Sequence, residues 1–197
     1  EASYTIFVKE DGTVKTVGDN EYGQLGDGTT TDKSTPVDLS LTGVKQVAGG
    51  GSHTIFLMED GTVKTAGRNN NGQLGDGTTN ERHTPVDLSL TGVKQVVGGR
   101  YHTIFLMEDG KVKGVGRNNY GQLGDGTTNN KTTPVDTGLT NIKDIMRSYL
   151  ISIFLYLIKD GTDIKTYTSQ WNTIGSSPVT EIMFTDNGMD DLSNLTL

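Results

Sequence analysis

The chain has 197 residues, of which 32% are apolar, and a formal net charge of -7. That is enough apolar content for a core, and too acidic a balance for a protein that lives on phosphate backbones. It contains no cysteine, which excludes disulfides and thiolate chemistry, and 27 glycines, roughly twice the average usage, which call for many tight turns. The first residue is Glu1 rather than methionine, so the natural start is expected to be missing, and neither a targeting signal nor a compartment can be read.

In chain order the first recognisable element is a hairpin turn at Asp11-Gly12, followed by GQLGDGTT from Gly23 and TPVD from Thr35. Both strings return 49 residues later, at Gly72 and Thr84, and again at Gly121 and Thr133. Val44–Gly92 and Val93–Asn141 align without gaps and are identical at 36 of 49 positions, so they share one backbone. Val44-Lys-Gln-Val-Ala48 reads as a short strand. Thr54 to Thr65 reads as a hairpin about Asp60-Gly61, repeated at Asp109-Gly110, and Thr84-Pro-Val-Asp-Leu88 reads as an edge strand that tolerates its proline. Ile55, Phe56, Leu57 and Met58 are apolar on both alternating faces, which suits a strand sandwiched between sheets. Four short strands per repeat, with no capped helical pattern, predict one propeller blade per unit.

The fourth unit is degenerate. Phe154 to Gly161 matches the hairpin only with a two-residue insertion, and Thr168-Ser-Gln-Trp-Asn-Thr-Ile-Gly175 stands where GQLGDG belongs. Ser177-Pro-Val179 is expected to start its outer strand, and Thr180 to Phe184 to form the first strand of a next unit, sixteen strands in all. Tyr149 to Ile158 is the longest apolar run; at about ten residues it is half what a spanning helix needs, so a buried strand and no membrane insertion are expected. The chain is thus one repeat domain, 1–197, with units at about 1–43, 44–92, 93–141 and 142–197.

The GGxxHT strings ending at Thr54 and Thr103, the EDGxV hairpin, the Gly67-Arg-Asn-Asn loop and GQLGDG together resemble the regulator of chromosome condensation repeat. The resemblance covers about Tyr4 to Ile145 and implies an all-β propeller of four-stranded antiparallel blades, about four to this chain. Seven such blades would need far more residues, which leaves a fragment, a compact four-bladed ring, or a half-ring closed by self-association as a homodimer. The resemblance also implies that His53 and His102 hydrogen-bond neighbouring turns, against the alternative of metal or acid-base use.

GQLGDG has neither phosphate-loop spacing. Gly23, Gly26, Gly72, Gly75, Gly121 and Gly124 are expected at positive φ, and Leu25, Leu74 and Leu123 to pin the loop by burial, with Gln24, Gln73 and Gln122 between them. Asn69-Asn-Asn71 and Asp76 offer calcium-type oxygens without calcium-loop spacing, and Asx turns account for them. No nucleophile elbow, HExxH or distinct carboxylate pair appears, so no catalytic residue, metal or cofactor is expected. Positions where the copies differ are the candidates for binding a partner: Arg100 and Tyr101 against Gly51 and Ser52, the triplet Glu81, Arg82 and His83, and Tyr22 and Tyr120 against Asn71.

The leading functional reading is a non-enzymatic scaffold that binds another protein, and not nucleic acid. The family resemblance implies, as alternatives, nucleotide exchange on a small GTPase or a secreted or surface structural or inhibitory module. Gapless 49-residue spacing leaves the first three units no inserted wedge for exchange. Light sensing of the kind known among plant relatives finds only Trp171 to work with.

Overall fold

The computed structural model describes residues 3–146 and, as backbone alone, 147, 154–160, 163–168 and 182–184. Its fifteen strands form four antiparallel sheets, and no helix occurs among the described residues. The first sheet is three-stranded: β1 (Tyr4–Val8), β2 (Val14–Gly18) and β3 (Lys33–Asp38). The second runs β4 (Val44–Gly49), β5 (His53–Met58), β6 (Val63–Gly67) and β7 (Arg82–Asp87). The third repeats it as β8 (Val93–Gly98), β9 (His102–Met107), β10 (Val112–Gly116) and β11 (Lys131–Asp136). The fourth is β12 (Ile142–Arg147), β13 (Phe154–Asp160), β14 (Asp163–Thr168) and β15 (Ile182–Phe184).

Each sheet is a propeller blade, and successive blades stack through β1 on β4, β4 on β8 and β8 on β12. The blade hairpins turn through three residues, as in Glu59-Asp60-Gly61, with Gly61 at φ +77° and Asp60 Oδ1 accepting the Thr62 amide at 2.9 Å. The aspartate thus closes the turn and the glycine supplies the left-handed position.

The cores lie between blades rather than within them, because a single sheet has no second layer to cover its apolar faces. Between the first two blades Val14, Leu39 and Leu41 meet Phe56, Met58 and Ala66. Between the second and third, Ile55, Leu57 and Val63 meet Phe105, Met107 and Val115. Strands β5 and β9 are buried at all six residues, which is why their sequence is apolar at consecutive positions. Side-chain amides stitch the inner strands: Gln46 donates through Nε2 to the Val96 carbonyl and accepts the Val96 N–H at Oε1, each at 3.3 Å, and Gln95 makes the same pair with Ile145.

The end of the chain differs from the sequence expectation. Ile182–Phe184 does not open a further unit but pairs with β14, Ile164 opposite Phe184, as the outer strand of the fourth blade. The physical reason is that β14 otherwise presents an open edge, and the chain returning past it satisfies that edge first. The backbone strand of the apolar run covers Phe154–Asp160; Tyr149 to Ile153, Trp171 and Ser177 to Val179 lie outside the described residues.

Phe7 occupies the repeat position of Phe56 and Phe105, yet it is 46% exposed where they are fully buried. Phe105→Ala should therefore cost about 3–5 kcal/mol and Phe7→Ala less than about 1.5. Urea midpoints of the two variants measure the difference.

Candidate functional site

Turns β4–β5 and β8–β9 and the loops that follow β2, β6 and β10 lie at the same end of the blades. The loops are anchored by one buried asparagine each. Asn69 Oδ1 accepts the Leu74 amide at 2.9 Å, while its Nδ2 donates to Asp76 Oδ1 at 3.0 Å and to the Thr78 carbonyl at 3.1 Å. Asn20 and Asn118 repeat the pattern on Leu25 and Leu123. The three leucines are wholly buried. The six loop glycines, Gly23, Gly26, Gly72, Gly75, Gly121 and Gly124, have φ between +72° and +80°.

Asp76 accepts from Thr78 N–H and Oγ1, from Asn69, and from Arg82 Nε at 2.7 Å. Asp27 with Lys33 (3.2 Å) and Asp125 with Lys131 (3.1 Å) are its counterparts. These acceptors are committed within the loop, and among the described residues no group of three or more His, Cys, Asp or Glu is placed to hold a metal. Arg82, a candidate partner-binding residue by sequence, therefore serves its own blade. Burial resists ionisation of Asp125, but the Thr127 hydroxyl and amide, Lys131 and Asn118 outweigh it and hold the carboxyl at about 2, below its ordinary 3.8.

His53 and His102 sit at the start of β5 and β9, buried against Gly50 and Gly99 so closely that an added Cβ would fall 2.0 and 2.2 Å from their rings. His53 Nε2 lies 3.0 Å from Thr103 Oγ1 of the next blade, and that hydroxyl donates to the Gln73 carbonyl at 2.8 Å. A hydroxyl has one proton, so His53 Nε2 must donate. One threonine thus joins the histidine and glycine-rich loop of one blade to the strand of the next. Thr54 donates likewise to the Gln24 carbonyl at 2.7 Å. In the first blade Tyr4 stands at the histidine position, its hydroxyl 2.6 Å from the His53 carbonyl and 3.3 Å from Thr54 Oγ1. Only the 49-residue spacing marks Tyr4 in the sequence, since it shares no residue type with His53 and His102.

Around this frame the structure gathers four of the sequence candidates on one rim and adds two residues. Arg68 lies over the Tyr22 ring at 4.7 Å and over Tyr101 at 5.5 Å. Arg117 lies over Tyr101 at 5.6 Å and over Tyr120 at 5.3 Å, and Arg100 over Tyr101 at 5.1 Å. The result is an alternating series, Tyr22, Arg68, Tyr101, Arg117, Tyr120, across three blades. Tyr22, Arg68, Arg100 and Tyr101 line a cavity of about 220 Å³ together with Gly51, Ser52, Asp19 and Glu21. Arg68 draws the Tyr22 hydroxyl down, but the Glu21 and Glu81 charges and burial together carry it up. Glu81 thus lies within electrostatic reach of the rim, while His83 packs its Cα against the loop at Gly23 and its carbonyl accepts the Gly28 amide at 2.9 Å. A larger hollow of about 560 Å³ lies at the opposite end, but its Lys111 and Lys113 are already paired with Asp109 and Asp136 at 2.8 Å.

The regulator of chromosome condensation (RCC1) repeat matches residues 11–57, 60–106 and 109–146, and a second form of the same repeat matches 44–73 and 93–122. The chain belongs to this family. Among curated proteins, none matches it. It is similar in fold to Prp20p of Saccharomyces cerevisiae, a structure reported with that protein's binding to Gsp1p and histones, at 19% identity and a TM-score of 0.71. That match covers 84% of this chain and 43% of Prp20p. Human WBSCR16 is similar at 22% identity and a TM-score of 0.71, over 92% of this chain and 49% of that one. The chain therefore spans less than half the length of either.

Thr103→Val keeps the side-chain volume but removes both hydrogen bonds of the inter-blade bridge, and should cost about 1–3 kcal/mol, read from thermal unfolding. Asp125 contributes stability that is complete above its ordinary 3.8 and is lost as pH falls through about 2. Asp125→Asn should therefore remove about 2 kcal/mol at neutral pH and flatten the acid limb of a stability-against-pH curve between roughly 4 and 2.

Proposed function

We propose that this chain is a non-enzymatic propeller scaffold whose Arg-Tyr rim binds another protein. The observation that carries the reading is the series from Tyr22 to Tyr120, whose side chains stack on one another at the rim and not in the cores between blades. Blade positions repeat because they hold the blade together, whereas Gly51, buried against the Arg100 carbonyl of the next turn, becomes the exposed Arg100, and Ser52 becomes Tyr101, two residue types favoured at interfaces. Loops on a rigid frame are where such binding is commonly placed. The gapless spacing of the first three units makes the exchange-factor reading the weaker one.

The test transplants the turn of the second blade into the third. Immobilised chain carrying Arg100→Gly and Tyr101→Ser should lose the protein partner retained by the wild type, while Lys111→Ala, at the other end of the blade, should keep it. Equal retention by all three chains overturns the rim assignment.

A further inference from the structure

Resting on the rim reading, we propose that the Arg-Tyr series is a site for an acidic peptide segment of the partner, whose carboxylates meet the guanidinium edges of Arg68, Arg100 and Arg117. The first observation is one of pairing. Arg82 and the strand lysines Lys15, Lys33, Lys64, Lys113 and Lys131 all hold an aspartate within the structure. Among the described residues, Arg68, Arg100 and Arg117 hold none; their neighbours are tyrosine rings, and Arg68 Nε, although shut off from solvent, has no hydrogen-bond partner. In a chain of net charge -7, three guanidiniums without an ion-pair partner around the Tyr101 ring concentrate positive charge there, while Asp19 and Glu21 stand on the first-blade side.

The second observation is geometric. A guanidinium lying over an aromatic face still presents its N–H groups at its edge, in the planar fork that fits a carboxylate. Tyr120, 60% exposed, closes one end of the series as an open platform.

The third is the cost to the frame. Asp19, at the repeat position of Arg68 and Arg117, accepts from Gln24 Nε2 at 2.9 Å. With arginine at that position in the second blade, the buried Gln73 Nε2 has no partner. The blade gives up a hydrogen bond there and the rim gains a cation.

The charge along the rim also orients the ligand. Asp19 and Glu21 line the cavity on the side of the first blade, and Arg100 and Arg117 belong to the third. The acidic residues of the peptide therefore belong over the third blade, with a neutral or basic residue beside Asp19 and Glu21. The same two carboxylates oppose a polyanion that runs the full length of the rim, whereas an acidic segment short enough to sit over the third blade avoids them, which favours peptide over nucleic acid.

Fluorescence anisotropy with a fluorescein-labelled hexaglutamate peptide tests this directly. Saturable binding is expected, weakened about tenfold or more by Arg100→Gly and by Arg117→Asp, with further loss on raising salt. Both replacements are residues that sister blades carry at the same positions, so the fold accommodates them, and thermal midpoints check that it has. Hexalysine should not bind, and a single-stranded oligonucleotide of equal charge should bind no more tightly than hexaglutamate. Absence of hexaglutamate binding, binding indifferent to both substitutions, or tighter oligonucleotide binding each overturns the acidic-peptide assignment. If hexaglutamate fails while partner capture still depends on Arg100 and Tyr101, the rim reading stands and only its acidic chemistry falls.

Discussion

A blade of this propeller cannot bury its own apolar surface. Strands β5 and β9 are buried at every residue, yet each sheet is one layer thick, so both faces of the second strand depend on other blades for cover. This dependence fixes the stacking order along the chain and places the cores between sheets. It also explains the consecutive apolar residues Ile55 to Met58, which a half-solvated strand would not tolerate. Apolar contact alone sets no register between two sheets. Directional bonds do so here: the glutamine amides of Gln46 and Gln95 join inner strands, and the His53, Thr103 and Gln73 bridge joins the blades near the rim.

The same division separates frame from function. The asparagine hub, the aspartate that closes each loop on a lysine or arginine, and the buried leucine recur in each of the first three units and are satisfied internally. The rim arginines and tyrosines are attached to this frame but contribute little to it. At Arg68 the frame even loses a hydrogen bond that the first blade makes through Asp19. Side chains that stack on one another without serving the core form a surface held in one arrangement, which lowers the ordering cost of recognition.

Much of the fold was legible because the period carries it. Two nearly identical 49-residue stretches, each with four short strand patterns, specify a blade before any contact is known, and the Asp-Gly hairpins and glycine-rich loops fall where the spacing puts them. The end of the fourth unit was not legible, because a three-residue strand is decided by which open edge it meets, not by its own pattern. On the rim, Arg100 and Tyr101 stood out because the second and third units differ there. Arg68 and Arg117 did not, since those two units are alike at that position; only the contrast with Asp19 carries the signal. Arg82 differs between the copies as well, but its guanidinium replaces a lysine in the same ion pair, a change that keeps the interaction while altering the letter.

Because the rim residues occupy fixed places in an interchangeable 49-residue unit, the surface can be rewritten by rearranging units as well as by point substitution. Duplication of the third unit would set a second Arg-Tyr turn beside Arg117 and Tyr120 and lengthen the series by one blade, with the histidine and threonine of the inter-blade bridge carried in the copied segment. Exchange with the first unit would instead insert Asp19 and shorten it. The length and polarity of such a surface then follow the number and order of blades.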